Sequence, residues 1–239
     1  CFPTLEWEFK TGLDEHETAL FKNLVRLKRE ISIAIESIDK FSPAFLLFDG
    51  SLLPLAGDRP SKDSQLFQLY EEVITLYKRL YSKCETNKIK LFGVIKDSRA
   101  KRFVDLFNIP NINDSFFLNY LLRKGERTFV MRYANNNSHA TPVLKDLEPF
   151  SSKLSVFYMK TGESDLPLRI ESFNSNGDDF DQVASSIYSI CCINEGYAYP
   201  APLIEADLCA ALNNEEIESV FSRDIQNIKP LRRNTRPFR

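Results

Sequence analysis

The chain has 239 residues, 43% of them hydrophobic and 27% charged, and its 31 Lys plus Arg against 33 Asp plus Glu leave a net charge of -2. With a mean hydropathy of -0.28, this is the composition of a globular protein that builds its own core, and it excludes a disordered chain, a membrane bundle and a uniformly basic coat for polyanions. Two histidines, His16 and His139, are too few for a multi-histidine zinc site or a His-Glu-x-x-His helix, so carboxylates are left to carry acid and ligand chemistry.

Between Asp14 and Phe41, the apolar residues Leu20, Leu24, Leu27, Ile31, Ala34 and Ile38 recur at spacings of four and three among Lys, Arg and Glu. This pattern predicts a long helix with a heptad-like seam, which either lies on its own domain or pairs with a second subunit. Pro43 ends it, and Ala44 to Phe48 then reads as a buried strand stopping at Asp49-Gly50-Ser51. Leu66, Leu69, Tyr70, Val73, Leu76, Tyr77 and Leu80 form the stripe of a second helix. A strand from Leu91 to Ile95 follows, ending at Lys96-Asp97-Ser98, and then a short helix with Phe103, Leu106 and Phe107.

Asn113-Asp114-Ser115 opens a helical run through Leu122 that stops near Gly125. Strand-like runs come next at Thr128 to Tyr133, Leu154 to Lys160 and Leu168 to Phe173. A helix from about Asp179 to Asn194 leads to Tyr199-Pro200-Ala201-Pro202 and a last helix beginning near Leu203. No repeat and no linker divides the chain, which reads as one mixed α/β domain. The expected parts are an N-terminal helical segment over 1–42, a domain over 43–228 and a basic tail over 229–239. That tail carries Lys229, Arg232, Arg233, Arg236 and Arg239 without an acid, as either a solvated terminus or a phosphate-binding arm.

The five cysteines include no Cys-x-x-Cys spacing, so they are expected to be reduced core residues and the compartment cytoplasmic. No apolar run approaches a membrane span and no signal peptide opens the chain. Its first residue, Cys1, is that of a trimmed chain or a fragment. Neither G-x-x-x-x-G-K-[ST] nor G-x-G-x-x-G occurs, which argues against an ATPase, and neither histidine sits in a nucleophile-elbow context.

Carboxylates stand at the ends of apolar elements. Asp49 follows four apolar residues, where Asp-Gly is either a plain turn or a site. Asp114 begins a helix, where capping of backbone N–H groups competes with a ligand role. Asp207, if helical, has Leu203, Ile204, Ala210 and Ala211 three and four positions away, so its charge is expected among apolar side chains, in need of a partner or a metal. Glu205 is a rival on another side of that helix. Glu171, in Leu168-Arg169-Ile170-Glu171, is a strand residue with either surface pairing or a site role.

Asp49-Gly50-Ser51, Gly93-Val94-Ile95-Lys96, Asp114 with Leu121-Leu122-Arg123-Lys124-Gly125-Glu126-Arg127, Leu168 to Glu171, and Tyr199 to Asp207 occur in the order found in NurA nucleases. The chain resembles that family from about Phe45 to Ala211. The resemblance implies a ribonuclease H-like mixed central sheet flanked by helices. It also implies a DNA nuclease dependent on manganese or magnesium, with 5′-to-3′ exonuclease and single-strand endonuclease activity. Such proteins are dimers that act in DNA end resection and repair beside HerA, a hexameric ring ATPase.

Carried onto this sequence, the resemblance makes Asp49 the central metal ligand and Asp114 a second. Asp207 stands where the family often has histidine; oxygen ligation stays possible, with either an altered metal preference or a weaker second site, since imidazole suits softer metals than a carboxylate. Glu171 matches an acidic position, Lys96 and Tyr199 match polar positions near the site, and Asp97 lies beside the place of a further acidic ligand. Arg123, Lys124, Arg127, Arg232 and Arg233 are the expected DNA contacts. Two ions clamped by carboxylates would offset the charge that builds on a phosphodiester under attack. Two other readings stand beside this one: a DNA-binding adaptor for a ring motor with weak or no catalysis, and an RNA-directed nuclease of the same fold.

Overall fold

The computed structural model describes residues 8–133, 142–173, 179–193 and 197–211. The long helix α1 (Glu15–Phe41) starts at Asp14, whose side chain accepts the Glu17 N–H while Glu17 reaches back to the Asp14 N–H, and stops at Ser42 in the left-handed region. Its stripe, Leu20, Leu24, Leu27, Ile31, Ala34, Ile35 and Ile38, is buried. It joins Tyr70, Val73, Ile74, Tyr77, Leu80, Tyr81 and Cys84 of α2 (Phe67–Thr86) in one core. The heptad-like seam is therefore an inner face of this chain's own core, the first of the two readings of that helix.

Five strands follow the apolar runs: β1 (Phe45–Asp49), β2 (Lys90–Ile95), β3 (Met131–Arg132), β4 (Leu154–Met159) and β5 (Leu168–Phe173), in the order β1-β2-β5-β4-β3. The sheet is mixed, with β1 parallel to β2 and the other neighbours antiparallel. Alternation along the strands gives the sheet two faces. Leu46, Phe48, Leu91, Leu154, Val156 and Phe173 pack toward α1 and α2. Phe92, Val94, Phe157, Met159, Leu168 and Ile170 pack with Val183 and Ile187 of α6 (Phe180–Cys191) and with Leu203 of α7 (Ala201–Ala210).

Two expectations change at the strands. β1 is an edge strand with partly exposed residues, because β2 is its only partner among the described residues. β3 is shorter than the apolar run, because the Thr128 hydroxyl, 3.0 Å away, replaces a carbonyl in accepting the Tyr158 N–H and interrupts the ladder. Between β2 and β3 lie α3 (Arg102–Asp105) and α4 (Asp114–Leu121), and between β3 and β4 lies α5 (Pro142–Asp146). Cys84 and Cys191 are buried, with thiols pushed up to about 12 by burial, whereas Cys192 and Cys209 are exposed, so only part of the cysteine set is core. Among the described residues no helix is long and apolar enough to cross a membrane.

The chain forms two compact units. One is Leu13–Ile204, which holds the sheet, α1 to α6 and the start of α7; the other combines Cys1–Gly12 with Glu205–Arg239. The helix α1 is thus part of the same unit as the sheet.

Candidate active site

The parallel strands β1 and β2 end side by side, with Asp49 opposite Val94. Such carboxyl ends are where open α/β sheets place their ligands. Beyond Asp49 the chain turns at Gly50, whose φ of 134° suits glycine and whose N–H is 2.9 Å from the Val94 carbonyl oxygen. Gly93 makes that crossing possible: a Cβ there would lie 2.5 Å from the Gly50 carbonyl oxygen.

Three residues singled out by sequence meet at this end. The Asp49 side chain is 40% exposed. The Tyr199 hydroxyl lies 2.6 Å from Asp49 Oδ1 and 3.2 Å from the Val94 carbonyl oxygen, so it donates chiefly to the carboxylate. Lys96 Nζ is 3.5 Å from Asp49 Oδ2 and 4.1 Å from the centre of the Tyr199 ring. The ammonium is thus held between a carboxylate and an aromatic face while part of its side chain stays in solvent.

Glu171 lies on the other side of the sheet. The register places it in a row with Gly93 and Phe48, one row from Asp49, Val94 and Ile170. Adjacent rows point to opposite faces. Glu171 is 1% exposed, and its Oε2 accepts from the Ser51 hydroxyl and the Leu52 N–H, each at 2.9 Å. Its Oε1 accepts from the Tyr133 hydroxyl and lies 3.1 Å from Arg169 Nη2. Burial works against the Arg169 charge, but Tyr133 and Glu171 outweigh it and hold the guanidinium pKa above its ordinary value.

Asp114 is fully buried and caps backbone N–H groups, though of a neighbouring helix. Asn113 caps α4 by accepting the Phe116 N–H, and the Asp114 carboxylate accepts the Phe103 and Val104 N–H groups of α3, both at 3.0 Å. Its other oxygen accepts the Tyr158 hydroxyl at 2.7 Å. Burial, with this carboxylate's help, raises the Tyr158 pKa and keeps the phenol a donor.

Asp207 is exposed on α7, correcting the expectation that its charge lies among apolar side chains; it belongs to the unit that includes Glu205–Arg239. Asp97 is exposed in the loop after β2. Arg123 and Lys124 are exposed in the turn after α4, while Arg127 is tied to α6, with Nε 3.1 Å from Asp181 Oδ1. Arg232, Arg233 and the tail over 229–239 lie outside the described residues, as does His139.

A hard divalent cation needs several oxygen ligands. Among the described residues no three His, Cys, Asp or Glu side chains gather to hold one. Asp49 offers an accessible carboxylate, whereas Asp114 and Glu171 have their oxygens taken by internal donors. The residues of the Leu13–Ile204 unit therefore fit one carboxylate contact to a cation and do not build a two-ion cage.

Sequence reasoning attached no role to Ser51, Tyr133 or Tyr158, which engage Glu171 and Asp114. A signal existed in β5: Arg169 and Glu171, two apart, must share a face, and two charges on one face of a central strand imply a buried pair.

Comparison with known proteins supplies a family. A family model described as the NurA domain matches residues 5–211. The crystal structure of the NurA nuclease from Sulfolobus solfataricus is similar, with a TM-score of 0.62, 17% identity, and 92% of this chain and 71% of that chain covered. A second structure, titled as that of NurA, has a TM-score of 0.45 and 13% identity over 69% of this chain and 37% of that one. A search of curated protein sequences returns no match.

Proposed function

The chain belongs to the NurA nuclease family, and from that premise we propose that it hydrolyses phosphodiester bonds in DNA at the Asp49–Lys96–Tyr199 site. The observation that carries this reading is the partly exposed Asp49 carboxylate beside Lys96 and Tyr199 at the ends of β1 and β2. In hydrolysis, water oxygen bonds to phosphorus, the bond to the leaving sugar oxygen breaks, and negative charge builds on the phosphoryl oxygens. The Lys96 ammonium supplies fixed positive charge for that state. Tyr199 orients the Asp49 carboxylate through its hydroxyl and carries Lys96 on its ring, so the three act as a unit.

Manganese or magnesium dependence is part of the proposal and rests on family membership. Asp49 is the ligand on offer, and a bound cation would supply Lewis-acid stabilisation of the phosphoryl oxygens. The full two-ion set is not built by Asp49, Asp114 and Glu171. Asp207 enters as a ligand candidate on its place in the Tyr199 to Asp207 motif alone. Action on single strands or duplex ends, 5′-to-3′ polarity, a homodimer, a HerA-type ring ATPase as partner in end resection, and a cytoplasmic location complete the proposal. Arg123 and Lys124 are the proposed backbone contacts within the described residues.

The commitment of Asp114 and Glu171 to internal donors favours one second reading, a catalytically weak DNA-binding adaptor of the same fold. The deciding experiment incubates the full chain with single-stranded DNA and manganese, with a matched RNA strand as the second arm. Cleavage of DNA that disappears with chelator supports the nuclease. DNA binding without cleavage supports the adaptor, and cleavage confined to RNA overturns the choice of substrate.

A further inference from the structure

We propose that Glu171 is a positioning residue that clamps the chain just beyond Asp49 from the opposite face of the sheet; this rests on the nuclease reading of the Asp49 site. A carboxylate offers about four acceptor positions. In Glu171 three of these receive the Ser51 hydroxyl, the Leu52 N–H and the Tyr133 hydroxyl, while Arg169 Nη2, which donates to the Tyr133 hydroxyl, stands 3.1 Å from Oε1 as an ion-pair partner. Both oxygens are thus engaged by internal groups, and at 1% exposure the side chain is closed off from solvent.

Two of the donors belong to the segment that leaves Asp49. The turn at Gly50 passes over Gly93, where no side chain can intervene, and Ser51 and Leu52 then meet Glu171 on the far side. Asp49 is accordingly fixed at both ends of its local chain: by the ladder to Val94 behind it and by the Glu171 clamp ahead. Glu171 is itself anchored by Arg169 and Tyr133. The Tyr133 ring has two guanidinium groups near it, 4.8 Å away at Arg102 and 5.4 Å at Arg169, and its carbonyl oxygen is 3.2 Å from Arg102 Nη1. The Glu171 carboxylate thus ties the turn after Asp49 to the interior of the sheet and, through Tyr133 and Arg102, to α3. Loss of such support shifts a reacting group rather than removing it, which slows turnover more than it weakens substrate binding.

The experiment compares the parent with Glu171→Ala, Glu171→Gln, Ser51→Ala and Asp49→Asn by amide hydrogen exchange over residues 49–53 and by kcat and KM on single-stranded DNA. A clamp predicts that Glu171→Ala speeds exchange there and lowers kcat about 100-fold with KM within about twofold. Glu171→Gln keeps a neutral acceptor for Ser51 and Leu52, so it should recover most of this, to within about tenfold of the parent. A folded Glu171→Gln protein as inactive as Asp49→Asn, with parental exchange over 49–53, overturns the proposal in favour of a ligand role. Should Glu171→Ala not fold, Ser51→Ala decides: about fivefold faster exchange at Leu52 supports the clamp and an unchanged rate overturns it. If the parent cuts no DNA, the nuclease reading fails, while exchange in the same variants still decides whether the clamp exists.

Discussion

Asp49 and Glu171 stand one row apart in the sheet register, and the two faces give their carboxylates opposite fates. On one face Asp49 meets a hydroxyl, an ammonium and solvent; on the other Glu171 meets three hydrogen-bond donors and a guanidinium and is buried. Asp114 resembles Glu171 in this respect, with two backbone N–H groups and a phenol filling its oxygens. The difference shows that acidity at a strand end or helix start does not by itself make a ligand. The number of internal donors that already address the carboxylate decides whether it can take a substrate or an ion, and it also separates loss of activity from loss of fold.

The largest effect should come from breaking the buried side. Glu171→Ala leaves the Arg169 guanidinium buried without its counter-charge, and denaturant unfolding should show a loss of about 3–5 kcal/mol. On the open side, Asp49→Asn should lower kcat about 10²- to 10³-fold while its melting temperature stays within about 2 °C of the parent. An equal fall in stability would mean that the two faces are not separate. Gly93→Ala brings a methyl against the Gly50 carbonyl oxygen between the faces and should cost about 1–3 kcal/mol, together with part of the activity. Lys96→Ala should reduce kcat about tenfold with little change in unfolding.

The smallest effect is expected at Asp146, whose hydrogen-bond partners are those of neither carboxylate. Arg59 Nε and the Tyr70 hydroxyl approach Asp146 Oδ2 at 2.7 and 2.8 Å. Burial works to raise the Asp146 pKa, but these two hydrogen bonds prevail and it lies below its ordinary value. Its stabilising contribution is therefore present above the ordinary carboxylate pKa and is lost as pH falls through the folded-state value. Unfolding titrations should show parent and Asp146→Asn differing by less than about 1 kcal/mol at neutral pH, with the gap closing in acid.

Much of the architecture was legible because apolar periodicity reports directly on burial. The stripes of α1, α2 and α6 and the runs of β2, β4 and β5 need only local spacing to be recognised. Residue order also marked Asp49, Lys96 and Tyr199. What local spacing cannot carry is which distant donor a polar group will meet. Asp114 sits where a helix cap is expected, yet its Oδ1 turns to α3, some ten residues earlier, and its Oδ2 to Tyr158, through contacts that only the folded chain creates. Ser51 and Glu171 are 120 positions apart in sequence. The edge position of β1 and the exposure of Asp207 likewise depend on how many neighbours the fold assigns, which the residues flanking them do not encode.

The central claim, that Asp49 is the carboxylate open to a cation and Glu171 a clamp closed to one, is tested most directly by calorimetric titration of manganese into the parent, Asp49→Asn and Glu171→Gln proteins. Binding heat in the parent and in folded Glu171→Gln, with none in Asp49→Asn, is the predicted result. Binding that survives Asp49→Asn but vanishes in folded Glu171→Gln would contradict it.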